Sequence, residues 1–205
     1  MAVPDLEAVK MSPAEREKLQ FELRRTQAYF EFGMGGSSLL AVRAGVREIV
    51  SIDSDPQWVL AVRQHAEIAP RIADGTASIL HADIGPVAEW GRPADRNRLT
   101  DWQNYLSIGW RDWAQRGTFP DLVLVDGRFR VACCLATAMV WLQQRSDNLR
   151  VLIHDVSDQR LHYRDVLDFY EEVEIVETLL MMKPRSDISA SALLSELLTW
   201  QFDFT

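Results

Sequence analysis

The chain has 205 residues, 47% of them hydrophobic and 25% charged. That is enough for one full hydrophobic core and short for two. The net charge of −8 argues against nucleic acid or an anionic membrane as the main partner, since both select for clustered Lys and Arg. No apolar run approaches the length of a membrane span, and the charged start of the chain has no apolar stretch of the secretory kind. A cytoplasmic location follows as the expectation. Cys133 and Cys134 are neighbours in an apolar helical pattern and read as buried, reduced thiols.

In chain order, Ser12-Pro13-Ala14-Glu15 reads as a capping box with Pro in the first helical position. It predicts a helix to about Arg25, within an N-terminal helical segment 1–27. AYFEF (28–32) is a short apolar strand. It runs into Gly33-Met34-Gly35-Gly36-Ser37-Ser38 and a helix closed by Gly45. REIVSID (47–53) is the second strand. Asp55-Pro56 opens a helix that carries Trp58, Val59 and Val62. TASILHAD (76–83) is the third strand, with His81 a structural residue inside it.

Periodicity then fails over 85–119, where four of the seven tryptophans fall: Trp90, Trp102, Trp110 and Trp113. This span reads as an insertion with one helix at about 100–116. A loop of that length usually has a function, and the expectation is a cover over the carboxyl edge of a sheet, its aromatic residues lining an acceptor pocket. The alternative is that the tryptophans simply pack the insertion onto the domain. Alternation resumes with DLVLVD (121–126), a helix at 129–145, RVLIHD (150–155), a helix at about 159–171 and one strand at about 173–182. The main domain spans 28–184, and the tail, 185–205, is helical at SALLSELL. Apolar strands alternating with helices predict an α/β fold: a doubly wound, mainly parallel sheet with helices on both faces.

In such sheets ligands sit outside the carboxyl ends of the strands. Five successive strands deliver an acid there: Glu31, Asp53, Asp83, Asp126 and Asp155. The glycines after the first strand allow a ligand close to the backbone, and the helix behind them offers free N–H groups. Asp53, twenty residues after Gly33, can accept hydrogen bonds from ribose hydroxyls. Asp53-Ser54-Asp55 also spells an Asp-x-Asp motif of nucleotide-sugar enzymes, but Asp55-Pro56 is better explained as a helix cap and first turn.

Glu31-x-Gly33-x-Gly35 resembles the acidic-x-Gly-x-Gly signature of class I S-adenosylmethionine (SAM) dependent methyltransferases, over about residues 28–182. The resemblance implies a Rossmann-like fold. It also implies a cofactor site of Glu31, Gly33, Gly35, Gly36, Ser37, Asp53, Ser54, Asp83 and Ile84. In the family the loop meets the methionine part of SAM, Asp53 would hold the ribose, and Asp83 with Ile84 would lie beside the adenine. Two departures stand out: Ser37 or Ser38 replaces the third glycine, and no seventh strand follows 173–182, where the family closes an antiparallel hairpin. A finer similarity is to the catechol and sugar O-methyltransferase branch, which binds a divalent metal at the ends of its fourth and fifth strands. That implies Asp126 and Asp155 as metal ligands, with Val156 in a third position where it cannot coordinate.

Asp126, His154 and Asp155 are the catalytic candidates, as base or metal ligands. The alternative for His154 is a packed core imidazole. Arg128 and Arg130 either steady an anionic acceptor or begin a solvated helix. The leading expectation is O-methyl transfer to a small molecule or glycan, without nucleic acid or membrane partners, and with a homodimer left open. One competitor is a methyltransferase-like domain that only binds. The other is an NAD-dependent oxidoreductase, for which Gly33-x-Gly35-x-x-Ser38 with Asp53 is nearly the fingerprint. Against the latter stand Glu31 and the absence of a Tyr-x-x-x-Lys pair.

Overall fold

The computed structural model describes residues 5–204. Seven strands form one sheet in the order β3-β2-β1-β4-β5-β7-β6. β1 (Ala28–Phe32), β2 (Glu48–Asp53), β3 (Ala77–His81), β4 (Leu122–Val125) and β5 (Arg150–Ile153) are parallel. β7 (Leu179–Pro184) runs antiparallel between β5 and β6 (Tyr170–Val176). The central strands are buried on both faces, which is why they read as continuous apolar runs. Their side chains alternate between two cores: Phe30 and Phe32 of β1 join one, Tyr29 the other.

α1 (Pro13–Leu23), α2 (Gly36–Arg43), α3 (Pro56–Gln64) and α4 (Ala69–Ala73) pack around β2, β3 and β6. Ser12 caps α1 through the expected box, its hydroxyl accepting from the Glu15 amide and the Glu15 carboxylate from its own. Asp55 caps α3 by accepting the Gln57 amide at 2.8 Å. That role accounts for the Asp-x-Asp spelling. α5 (Gln103–Arg116), α6 (Arg130–Gln144) and α7 (Ala190–Trp200) build the core that holds Phe30 and Phe32.

Two expectations are corrected here. Residues 170–184 are a hairpin, not a single strand. Its turn, Glu177-Thr178, has no Gly or Asn, and Glu177 takes φ +52°, so the usual turn chemistry is missing. The turn is held from outside: the Glu15 carboxylate accepts from the Thr178 amide at 2.9 Å and its hydroxyl at 2.6 Å. The antiparallel hairpin also separates this sheet from the 3-2-1-4-5-6 dinucleotide-binding order. Further, 158–168 is a run of 3-10 turns broken at Arg160, not an α-helix.

The tryptophan-rich span divides. α5 lies on the sheet, with Gly109 so close to Phe30 that a Cβ there would overlap the ring. Trp102, Trp110 and Trp113 are core residues, so packing accounts for three of the four. Trp90 alone is exposed, in the loop 87–93 closed by the Val87–Pro93 bridge. No helix among the described residues is long and apolar enough to cross a membrane.

Candidate functional site

The carboxyl ends of β1, β2, β4 and β5 open onto one cavity of about 380 Å³, within the size range of small-molecule sites. Its floor is the crossing of two loops. Gly33 has φ +89°, and a Cβ on it would stand 2.6 Å from the Gly127 backbone. Both loops must therefore be bare of side chains at this crossing.

Asp53 stands beside that floor. Its carboxylate accepts from the Met34 amide at 3.2 Å and the Asp55 amide at 2.8 Å. Burial dominates nonetheless and pushes its carboxyl up to about 7. Gly33, Gly35, Gly36 and Ser37 share the cavity wall with Asp53, as does Trp58 of α3.

The remaining predicted cofactor residues are placed differently. Glu31 is fully buried and lies outside the wall. It accepts hydroxyls from Ser37 (2.6 Å), Ser51 (2.6 Å), Tyr29 (3.0 Å) and Ser38. Ser38 in turn accepts from the Gly35 amide. The two serines in place of the third glycine thus moor the loop to Glu31, which shapes the site without facing it. Ser54 is also buried, its hydroxyl donating to the Gly91 carbonyl at 3.0 Å. Asp83 is exposed and accepts the Gly85 amide, while Ile84 is buried in the core. Asp83 and Ile84 lie outside the cavity wall, because the loop 87–93 comes down beside Asp53 and Ser54 in their place.

Asp126 and Asp155 do come together, through cations. His154 Nδ1 is 2.9 Å from Asp126, and its Nε2 is 3.3 Å from Glu15. Arg130 reaches Asp126 at 3.3 Å and Asp155 at 3.0 Å, and Arg160 pairs with Asp155. Burial opposes the charge on His154, yet Asp126, Asp155 and Glu15 outweigh it and raise its pKa. Burial likewise opposes the charge on Glu15, but the bonds from Thr178 and Ser12 hold its carboxyl down at about 2. Both ring nitrogens of His154 thus face carboxylates, which favour its charged form.

Asp126, His154 and Asp155 bring ligand atoms within 4.8 Å of one another, but their pairing with cations disfavours a divalent metal. Two guanidinium groups already pair with Asp126 and Asp155, and a hard cation requires several free oxygen ligands. Equilibrium dialysis against Mg²⁺ or Mn²⁺ is expected to show no ion held here. Stoichiometric uptake that disappears in Asp126→Asn would contradict this.

Sequence reasoning missed Lys10, Trp58, Arg92 and Arg160 in the wall. Lys10 and Arg92 come from segments without periodicity. Trp58 was legible only as part of an apolar helix face.

No protein-family model matches the chain, and no curated protein matches it. Solved structures do. A methyltransferase-like protein from Silicibacter pomeroyi DSS-3 superposes with a TM-score of 0.73 at 26% identity, over 98% of each chain. Rv0187 from MTB, in a cofactor-bound structure, gives a TM-score of 0.54 at 12% identity, over 88% of this chain and 84% of that one. At that identity the likeness concerns the fold alone. The m1A22 tRNA methyltransferase of B. subtilis is more distant, with a TM-score of 0.46 at 13% identity over 89% and 73%, and carries no weight here. The chain has the class I methyltransferase fold, with its seven-stranded, mainly parallel sheet. Over nearly its whole length it is similar to a methyltransferase-like protein.

Proposed function

We propose that the protein is a SAM-dependent methyltransferase acting on a hydroxyl of a small molecule or glycan. One observation carries this reading: Asp53 and the moored loop Gly33–Ser37 share a single cavity with Asp126 at the end of β4. A donor's ribose and an acceptor would meet there. When bound, SAM supplies an activated methyl group. An acceptor hydroxyl would take that methyl and give up its proton to a base.

The chain's part is mainly to hold the two reactants in line. Asp53 accepts from the ribose hydroxyls, and Trp58 offers an aromatic wall. Asp126, held by His154 and Arg130, is the carboxylate beside the acceptor and takes its proton. His154 orients Asp126 rather than serving as the base. A second reading, binding without transfer, draws on one observation: both ring nitrogens of His154 face carboxylates of the chain itself, so neither is turned to an acceptor.

Asp53→Ala is expected to weaken S-adenosylhomocysteine binding by about 1.5–3 kcal/mol, as for loss of a charged hydrogen-bond partner. The carboxylate is the form that accepts ribose hydroxyls, and its pKa is about 7. Affinity should therefore rise as pH increases through that value and level off above it. Calorimetry at several pH values checks both. Equal affinity in the variant and the parent would remove Asp53 from the ribose.

A further inference from the structure

The cavity wall is basic although the chain is acidic. Lys10, Arg92, Arg128, Arg130 and Arg160 face Asp53, Asp126 and Asp155 in it, against a net charge of −8 for the whole. Arg130 and Arg160 are committed to those acids. Arg128 is not. Among the described residues its guanidinium makes no ion pair and no hydrogen bond, and its Nε is sealed from solvent without a partner. A buried donor left unpaired is rare and costly. Burial and the nearby charges of Arg130 and Arg92 press on it together. Arg92 is exposed and likewise enters no ion pair among the described residues.

The local backbone holds Arg128 in this position. Phe129, the next residue, is left-handed at φ +57°, a costly conformation for a bulky side chain. Its ring is fully buried, 5.8 Å from Trp102 and 5.5 Å from Tyr105. The Arg128 amide donates to the Tyr105 hydroxyl. Strain held in place by core packing, beside an unpaired cation in a cavity, marks a ligand contact.

Resting on the methyltransferase reading, we propose that the acceptor is an anion, and that Arg128, with Arg92, binds its carboxylate or phosphate group beside Asp126. The fork of a guanidinium suits either oxyanion in bidentate fashion. The basic wall draws such an acceptor into an otherwise acidic molecule.

The test is calorimetric titration of the full chain with inorganic phosphate and, separately, malonate, each with and without saturating S-adenosylhomocysteine. At least one anion is expected to bind, and Arg128→Ala to weaken it by roughly tenfold or more. Arg128→Lys should recover part of the loss, since it restores charge without the fork. Arg92→Ala should cost less. Binding of phosphate alone identifies a phosphorylated acceptor, and of malonate alone a carboxylate. S-adenosylhomocysteine affinity should stay within about twofold, well short of a lost charged contact. The Arg128→Ala melting temperature should hold or rise, since an unpaired half-buried charge is removed. Three results overturn the proposal: neither anion binds, Arg128→Ala binds them as well as the parent, or S-adenosylhomocysteine affinity falls in parallel. The last would place Arg128 on the cofactor's own carboxylate. Failure of the parent to bind S-adenosylhomocysteine would defeat the methyltransferase reading instead, and the anion titrations without it would still report on Arg128.

Discussion

Glu31→Ala is expected to lower the unfolding free energy by about 3–5 kcal/mol, because one truncation strips four buried hydroxyls of their acceptor. Tyr29, Ser37, Ser38 and Ser51 all donate to this carboxylate. The loop that forms the cavity floor would lose its mooring with them, so cofactor affinity should fall as well. Burial raises the Glu31 pKa against the pull of those hydroxyls. A raised carboxyl contributes stability below its unfolded value, and that contribution fades as pH rises through the folded one. Glu31→Gln keeps an acceptor and should remove this pH dependence while costing less than alanine. Urea denaturation between pH 4 and 8 measures both. An alanine variant as stable as the parent would show that the hydroxyls find other partners.

Gly33→Ala should cost about 3 kcal/mol or more and abolish cofactor binding. Two effects add: strain at φ +89° and overlap with the Gly127 backbone at 2.6 Å. Backbone on both sides leaves no side chain that could turn away. Gly45 provides the control. It has nearly the same φ, +79°, with nothing within 4 Å of an added Cβ. Gly45→Ala should therefore show the strain alone, about 1–2 kcal/mol. Similar losses at the two positions would mean that the crossing of the loops relaxes freely.

The parallel half of the fold was legible because its strands are apolar on both faces and two of its helices, α1 and α3, carry their own caps. Ser12 and Asp55 cap where the residue pattern placed them. The hairpin was illegible because its turn depends on Glu15, 163 residues away in sequence from Thr178. No local pattern records such a contact. At the site, strand-end position identified Asp53 and Asp126 correctly as cavity residues. It did not show that Asp83 and Ile84 lie outside the cavity wall, because where the loop 87–93 settles depends on tertiary packing. It also assigned Glu31 to the cofactor, since an acid at a strand end reads alike whether it faces a ligand or hydroxyls of its own chain. The metal reading meets a competitor that strand ends do not record. Arg130 and Arg160 occupy the charge that two bare carboxylates would otherwise offer.

The central claim is that this cavity takes an S-adenosyl cofactor. It is tested most directly by titrating the purified parent with S-adenosylhomocysteine and NAD side by side. One S-adenosylhomocysteine per chain, bound with micromolar affinity or better and lost in Gly33→Ala, together with no NAD binding, is the predicted result (micromolar corresponds to about −8 kcal/mol). Binding of NAD in its place, or of neither, would contradict it.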